Sequence, residues 1–255
     1  YCWVTTGQYT GNGVKRALSM ARFTRKLWVK AKWIAKVFKP DVIITSSTYP
    51  IDTYAGQQIR KQAPQAKLVH EVHDMWPATL IELGGMSKFN PFVVAMQMGE
   101  NSAYRHSDKV MALPVLAKHY MVQHGMQRDK FVPTYNGIVL DDWRHPEELP
   151  YAIEAVLKKI KAEKKFVVGY FGGHALSNAL DDLLGVAIKM RRNQFVQFIL
   201  VGNGLEKSHL QNIAYQENLE NVTFLPPVSK LAIPNLVQYF DCCYVGAKNC
   251  SLYRF

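Results

Sequence analysis

The sequence predicts an α/β protein built as two doubly wound parallel-sheet domains in tandem. Three observations predict it. Short β-branched runs alternate with helical stretches, the turns after several of those runs carry glycine or hydroxyl residues, and the alternation pauses once, between Leu140 and Lys165, before it resumes.

Taken in order, "KPDVIITSS" (39–47) is bounded by Pro-Asp and a hydroxyl cluster and reads as a buried parallel strand. "YAGQQIRKQAPQ" follows as a helix broken by Pro64, and "AKLVHEVHD" (66–74) as the next strand. "ENSAYRHS" reads as helix, "DKVMALP" as strand, "VLAKHYMVQHG" as a helix stopped at Gly125, and "KFVPTYNGI" as the fourth strand. A polar connection and a charged helix fill 140–165. Beyond them come "FVVGYFGG", "VQFILVGNG", "VTFLPPV" and "DCCYVGA" as strands, separated by "ALDDLLGVAIKMRR", "EKSHLQNIAYQEN" and "LAIPNLVQYF" as helices. The expected division is an N-terminal domain over 1–148, a linker and helix over 149–165, and a C-terminal domain over 166–255.

The composition is that of a globular protein. Of 255 residues, 48% are apolar and 20% charged, and no apolar run reaches the roughly eighteen residues of a membrane span. The four cysteines show no C-x-x-C spacing, so neither a zinc site nor a disulfide framework is indicated, and a reduced, cytoplasmic compartment fits. A net charge of +11 favours polyanionic surroundings: nucleic acid, an anionic membrane face or a phosphorylated substrate.

Much of that charge lies in residues 15–39, which contain no acid. On a helix Met20, Phe23, Leu27, Ala31, Ile34 and Phe38 form one apolar stripe, with Arg22, Arg25, Lys26, Lys32 and Lys36 on the other side. A core-packed helix with a solvated face explains the stripe. It leaves Val29 and Trp33 among the cations, an arrangement that suits an anionic bilayer surface.

"YFGGH" (170–174) and "VGNG" (201–204) each follow a strand and precede a helix. Glycines there let backbone approach a ligand closely, and helix N-termini offer unpaired N–H groups to a phosphate. Gly172, Gly173, His174 and Asn178 belong to the first turn, Gly202, Asn203, Gly204 and Lys207 to the second. α/β proteins use glycine at such turns in any case. The pair together with Lys207 favours a phosphate-bearing ligand, although neither turn has the spacing of a dinucleotide fingerprint or a P-loop. In "TSSTYPIDTYAG" the hydroxyls either bind substrate or cap a helix at Thr53, and the cap is the favoured reading. Asn136 and Gly137 form a turn that would touch ligand if it faced an interdomain cleft.

"HEVHDMWP" (70–77) places His70, His73 and Asp74 within five positions. On a strand His70 and His73 project to opposite faces, so no metal is expected there. His70 reads as a core histidine, which leaves Asp74 unexplained.

Together "KPDVIITSSTYP", "HEVHDMWPATLIELGG", "ENSAYRHSDKVMAL", "YNGI", "GYFGG", "LVGNG" and "VTFLPPVSK", in that order, resemble bacterial glycosyltransferases of family 4. The resemblance is closest to the WbuB-like branch that builds lipopolysaccharide, capsule and exopolysaccharide repeats. It covers nearly the whole chain and implies the GT-B architecture of two Rossmann-like domains, the second incomplete here. It implies a nucleotide-sugar donor on the C-terminal domain and a glycan or polyprenyl-linked acceptor on the N-terminal one. Gly172, Gly173 and Gly202–Gly204 would line the diphosphate, with Pro227, Val228 and Ser229 near the base. The Arg and Lys that many members carry after the first turn of the second domain are missing from "GGHALSNALDD", which leaves His174, Asn178 and Lys207 as polar groups. The family's acidic E-x7-E-like element would follow "SLYRF", and its first strand and acceptor loop would precede Tyr1, so the chain is expected to be truncated at both ends.

The implied reaction is glycosyl transfer, retaining and metal-independent, with a UDP-linked donor and no cofactor. Helix N-termini and cations would stabilise the departing diphosphate. Asp74 is the candidate for acceptor or sugar contact, with His73 and Glu71 beside it. The expected location is the cytoplasm, at the inner face of the cytoplasmic membrane. A nucleotide-sugar epimerase or a non-catalytic nucleotide-sugar-binding protein of the same architecture fits the same motifs. A nucleic-acid module fits less well, because the cations concentrate in one helix and no helix-turn-helix or RRM signature appears.

Overall fold

The computed structural model describes residues 2–9, 11, 13–113 and 115–250. Pro114, at the end of the strand expected over "DKVMALP", and "SLYRF" lie outside the described residues. The chain divides into two compact units, the first comprising the residues up to Asn136 together with Cys250, and the second running Gly137–Asn249.

The first unit contains α1 (Val14–Phe38), β1 (Val42–Thr45), α2 (Thr53–Gln62), β2 (Lys67–Val72), α3 (Ala78–Glu82), α4 (Pro91–His106), β3 (Lys109–Ala112), α5 (Ala117–Gln123) and β4 (Phe131–Pro133). Its strands are parallel, in the order β1-β2-β3-β4. Thr45 pairs with His70, and Glu71 with Met111. Among the described residues β1 stands at the sheet edge and buries one face only: Ile43 and Thr45 point inward, while Val42 and Ile44 are exposed. α1 stops because Lys39 takes a left-handed conformation, its N–H returning to the Ala35 carbonyl, and Pro40 follows. α4 starts on Asn90, whose side chain accepts the Phe92 N–H, with Pro91 in the first turn. Leu68, Val110, Tyr104 and Met121 are almost fully buried within this unit, each contributing about 1.5–3 kcal/mol of apolar burial.

The second unit contains α6 (Leu140–Arg144), α7 (Tyr151–Ala162), β5 (Phe166–Phe171), α8 (Leu180–Lys189), β6 (Val196–Val201), α9 (Lys207–Gln216), β7 (Val222–Leu225), α10 (Ile233–Val237) and β8 (Cys242–Cys243). Its order is β7-β6-β5-β8, again all parallel. β8 returns to the far side of β5, so the winding reverses at β5, and such reversals mark ligand crevices in open α/β sheets. The charged helix read as part of a connection is α7. Its Ile153, Leu157 and Ile160 pack with Val167 and Ile199 in this unit's core.

The same device ties strand ends in both units. Asp108, just before β3, accepts the Leu68 N–H at 2.7 Å and pairs with Arg60 of α2. Asp241, just before β8, accepts the Val167 N–H at 2.7 Å and pairs with Lys161 of α7. Each carboxylate replaces a missing ladder partner where a strand begins, and these bonds hold both carboxyls below the usual carboxylate range.

Candidate functional site

In the second unit the two glycine turns sit side by side at the ends of β5 and β6. The Gly172 N–H donates to the Val201 carbonyl at 3.0 Å, and the His174 N–H to the Asn203 carbonyl at 2.9 Å. Glu206 N–H returns to the His174 carbonyl at 3.0 Å, so residues 172–174 and 202–206 form one knitted edge. Gly202 is buried at φ +145°, where a β-carbon would meet the Gly172 carbonyl oxygen. A β-carbon on Gly204 would lie 2.3 Å from the His174 carbonyl oxygen. Gly173 is the counterpart on the outside: nothing lies within 4 Å of where its β-carbon would be. The turns thus need glycine inward for their own packing and leave open space at Gly173.

The polar side chains expected at this edge are committed to the scaffold. Asn178 donates to the Gly173 carbonyl at 2.7 Å and to the Tyr170 hydroxyl at 3.0 Å, and Tyr170 in turn donates to the Gly173 carbonyl. Lys207 donates to the Gly202 carbonyl at 2.7 Å and the Leu225 carbonyl at 3.3 Å. His174 is fully buried between the rings of Tyr170 and Phe224, and neither ring nitrogen has a hydrogen-bond partner among the described residues. Burial, and then the nearby Lys207 charge, lower its pKa and favour the neutral ring. α8 opens with Asp181 and Asp182, which complement its own dipole, whereas Lys207 opens α9. Pro227 and Val228 follow β7 at the same sheet edge, with Pro227 exposed and Val228 packed against the core.

In the first unit a polar cluster forms where β1 and β2 end. Ser46 donates to Glu71 Oε2 at 2.6 Å and lies 2.8 Å from His73 Nε2. Its one hydroxyl hydrogen is spent on Glu71, so His73 must carry its proton on Nε2 to complete the second bond. His70 turns the other way: it is buried, bonded to Thr45 Oγ1 at 3.0 Å, and its pKa is pushed down to about 4, chiefly by burial. The two histidines therefore diverge.

Asp74 is exposed, one residue past His73, and lines a small hollow with Ser47, Thr48, Glu71, Trp76 and Glu100. Thr48 and Tyr49 continue into a larger, more open recess with Thr6, Tyr9 and Arg16, and the Arg16 guanidinium stands over the Trp76 ring at 5.7 Å. Asn136 and Gly137 are exposed beyond β4.

Two carboxyls beneath this edge carry no sequence motif. Asp52 is buried, accepts the Ser47 N–H at 3.2 Å and leaves Oδ1 without a partner among the described residues, and burial raises its pKa to about 6. Glu100 is buried too, accepting from Tyr104, Tyr120 and Gln97, and burial raises its pKa to about 7. A lone acid in the apolar α4 was the available signal for Glu100. The cap expected at Thr53 is corrected: Asp52 stands at the N-cap and buried Thr53 begins the helix, its hydroxyl accepting from Gln57. Of the "TSST" hydroxyls, those of Thr45 and Ser46 bond across to β2 residues instead.

The family model described as Glycosyltransferase Family 4 matches residues 6–142, just over half of the chain. Among curated proteins the chain is similar to the colanic acid biosynthesis glycosyl transferase WcaI of Escherichia coli (strain K12). The two are 22% identical over 246 residues, covering 92% of this chain and 57% of WcaI. Among solved structures it is similar to Anabaena HepE in complex with UDP, with TM-score 0.64 and 20% identity over 89% of this chain and 57% of that one. The lipopolysaccharide outer core galactosyltransferase WaaB, in its apo form, matches at TM-score 0.53 and 17% identity, over 87% and 53%. The two four-stranded parallel sheets are those of GT-B glycosyltransferases. The chain spans a little over half the length of these relatives.

Proposed function

Because the chain belongs to glycosyltransferase family 4, we propose that it moves a sugar from a nucleotide-sugar donor to a lipid-linked or saccharide acceptor in the synthesis of a cell-surface polysaccharide, such as lipopolysaccharide, capsule or exopolysaccharide. The observation that carries this reading is the interlocked pair of turns at Gly172–His174 and Gly202–Gly204. Backbone held this rigidly, with open space at Gly173 and Lys207 opening α9, suits a diphosphate whose charge grows as the glycosidic bond breaks. HepE, whose structure contains UDP, makes a UDP-linked donor the first choice.

In this reading the backbone at Gly173 and Asn203 meets the diphosphate, with Gly172, Gly202 and Gly204 lining it, and Pro227 and Val228 lie toward the base. His174, Asn178 and Lys207 act by holding that backbone in place. On the first unit Asp74 contacts the acceptor or sugar, with Glu71 and His73 beside it, and Ser46 fixes the proton of His73. Stabilising the leaving group electrostatically, with no separate strong base, is compatible with a retaining, metal-independent transfer. Peripheral attachment at the inner face of the cytoplasmic membrane, through residues 15–39, belongs to the same reading.

Thermal-shift measurements on the full-length protein with UDP-, GDP- and ADP-sugars test the donor site. Stabilisation by one nucleotide class is expected, and no shift with any of them removes the donor reading. Incubation with the donor alone adds a second arm: accumulation of an epimerised sugar nucleotide would identify an epimerase instead.

A further inference from the structure

The face shared by α1 and α4 carries a surface that glycosyl transfer does not need. Ala21 and Trp28 of α1, Ile51 in the turn before α2, Tyr54 of α2, and Ala95 and Met98 of α4 line an open groove of almost wholly apolar character. Trp28 is 43% exposed and Met98 61%, and Val94, one turn before Met98, is exposed as well. No charged residue occurs in α4 before Glu100. α1 has no Asp or Glu among its 25 residues. Arg25 lies at the rim of the groove, and Lys32 and Lys36, seven and eleven positions on, fall on the same exposed edge of the helix. Val29 and Trp33 extend the apolar surface among these cations.

We infer that this α1–α4 face docks onto an anionic phospholipid bilayer, with Arg25, Lys32 and Lys36 at the headgroups and the groove between Trp28 and Met98 seating lipid hydrocarbon. This rests on the membrane contact proposed for residues 15–39 and deepens it, because it adds a second helix and a hydrocarbon seat. Charge complementarity selects the occupant. A band of cations attracts anionic headgroups, and a tryptophan at the boundary suits the interface. A nucleic acid would use the cations and could stack on an indole, yet it has no use for an aliphatic floor of Val94, Ala95 and Met98.

Sedimentation of the full chain with phosphatidylcholine vesicles, with and without phosphatidylglycerol, tests the inference. Binding is expected only to the anionic vesicles and should weaken as salt rises. Met98→Asp, at an exposed position, should lower the partition constant by about tenfold or more with an unchanged melting temperature. Arg25→Glu with Lys32→Glu should do the same through charge. Quenching of tryptophan fluorescence by lipids brominated along the acyl chain should fall in Trp28→Phe. Absence of binding to anionic vesicles removes both the groove and the membrane contact of residues 15–39. Full binding by Met98→Asp, with undiminished quenching in Trp28→Phe, removes the groove and leaves an electrostatic contact. RNA binding that competes with vesicles and ignores Met98→Asp, or a dimer that only Met98→Asp dissolves, overturns the bilayer as occupant.

Discussion

A β-carbon on Gly202 would lie 2.0 Å from the carbonyl oxygen of Gly172, so the two strand-to-helix turns of the second unit touch backbone to backbone. Gly202 also sits at φ +145°, a conformation that side-chain-bearing residues rarely adopt. Gly202→Ala should therefore cost about 2 kcal/mol or more in chemical denaturation and abolish the thermal shift given by UDP-sugars. Native stability together with a retained shift would show that the turns are not the rigid donor cradle proposed.

Lys207 spends its ammonium on the Gly202 and Leu225 carbonyls, which bridges the second turn to the end of β7. Lys207→Met removes charge-assisted bonds at a half-buried site, for an expected destabilisation of about 1–2 kcal/mol. Calorimetric titration with UDP should show an affinity about tenfold lower or worse, from the displaced turn and the lost positive charge together. Unchanged affinity would place the phosphate elsewhere.

Asp74 is exposed and past the end of β2, where substitutions rarely move stability by more than about 0.5 kcal/mol. Asp74→Ala in the full-length protein should leave the melting temperature nearly unchanged and reduce transfer by about a hundredfold or more. Ser46→Ala should give a smaller loss, since it frees His73 and Glu71 without removing either. Wild-type turnover in Asp74→Ala would retire the assignment.

The buried carboxyls give the first unit a pH signature. Asp52 and Glu100 have folded pKa values near 6 and 7, above their ordinary 3.8 and 4.5, so the folded state holds their protons more tightly than the unfolded chain. The stability they contribute is complete below about pH 4 and is lost as pH rises through about 6 and 7. His70 works the other way: its folded value near 4 lies below 6.5, so its contribution is present above 6.5 and lost as pH falls toward 4. Denaturation curves at pH 5.5 and 7.5 should show Glu100→Gln destabilised less at pH 7.5 than at pH 5.5, relative to wild type. Equal differences at both values would mean that Glu100 is ionised throughout.

Much of this protein is local in origin and was legible in residue order. β-branched runs bounded by Pro, Gly and hydroxyl residues specify β1, β5 and β6. The apolar period of residues 20–38 specifies α1, with Met20 and Ala31 inside and the cations outside; Phe38, the last residue of the helix, leaves the stripe and is exposed. The glycine turns after β5 and β6 were visible for the same reason, because their conformation and close approach tolerate no β-carbon at Gly202 and Gly204.

What each polar side chain does was decided by partners distant in the chain. Beside two glycines His174 reads as a ligand group, yet Phe224, fifty residues on, helps to enclose its ring in the core. Asn178 and Lys207 read in the same way and are bound to backbone. Asp52 holds the N-cap position expected of Thr53 and accepts the Ser47 N–H, a partner that no local cap pattern encodes. The groove between Trp28 and Met98 joins residues seventy positions apart. Strand and helix periods arise from backbone geometry within a few residues and can be read along the sequence, whereas desolvation and hydrogen-bond pairing depend on which surfaces meet, and only the tertiary structure settles that.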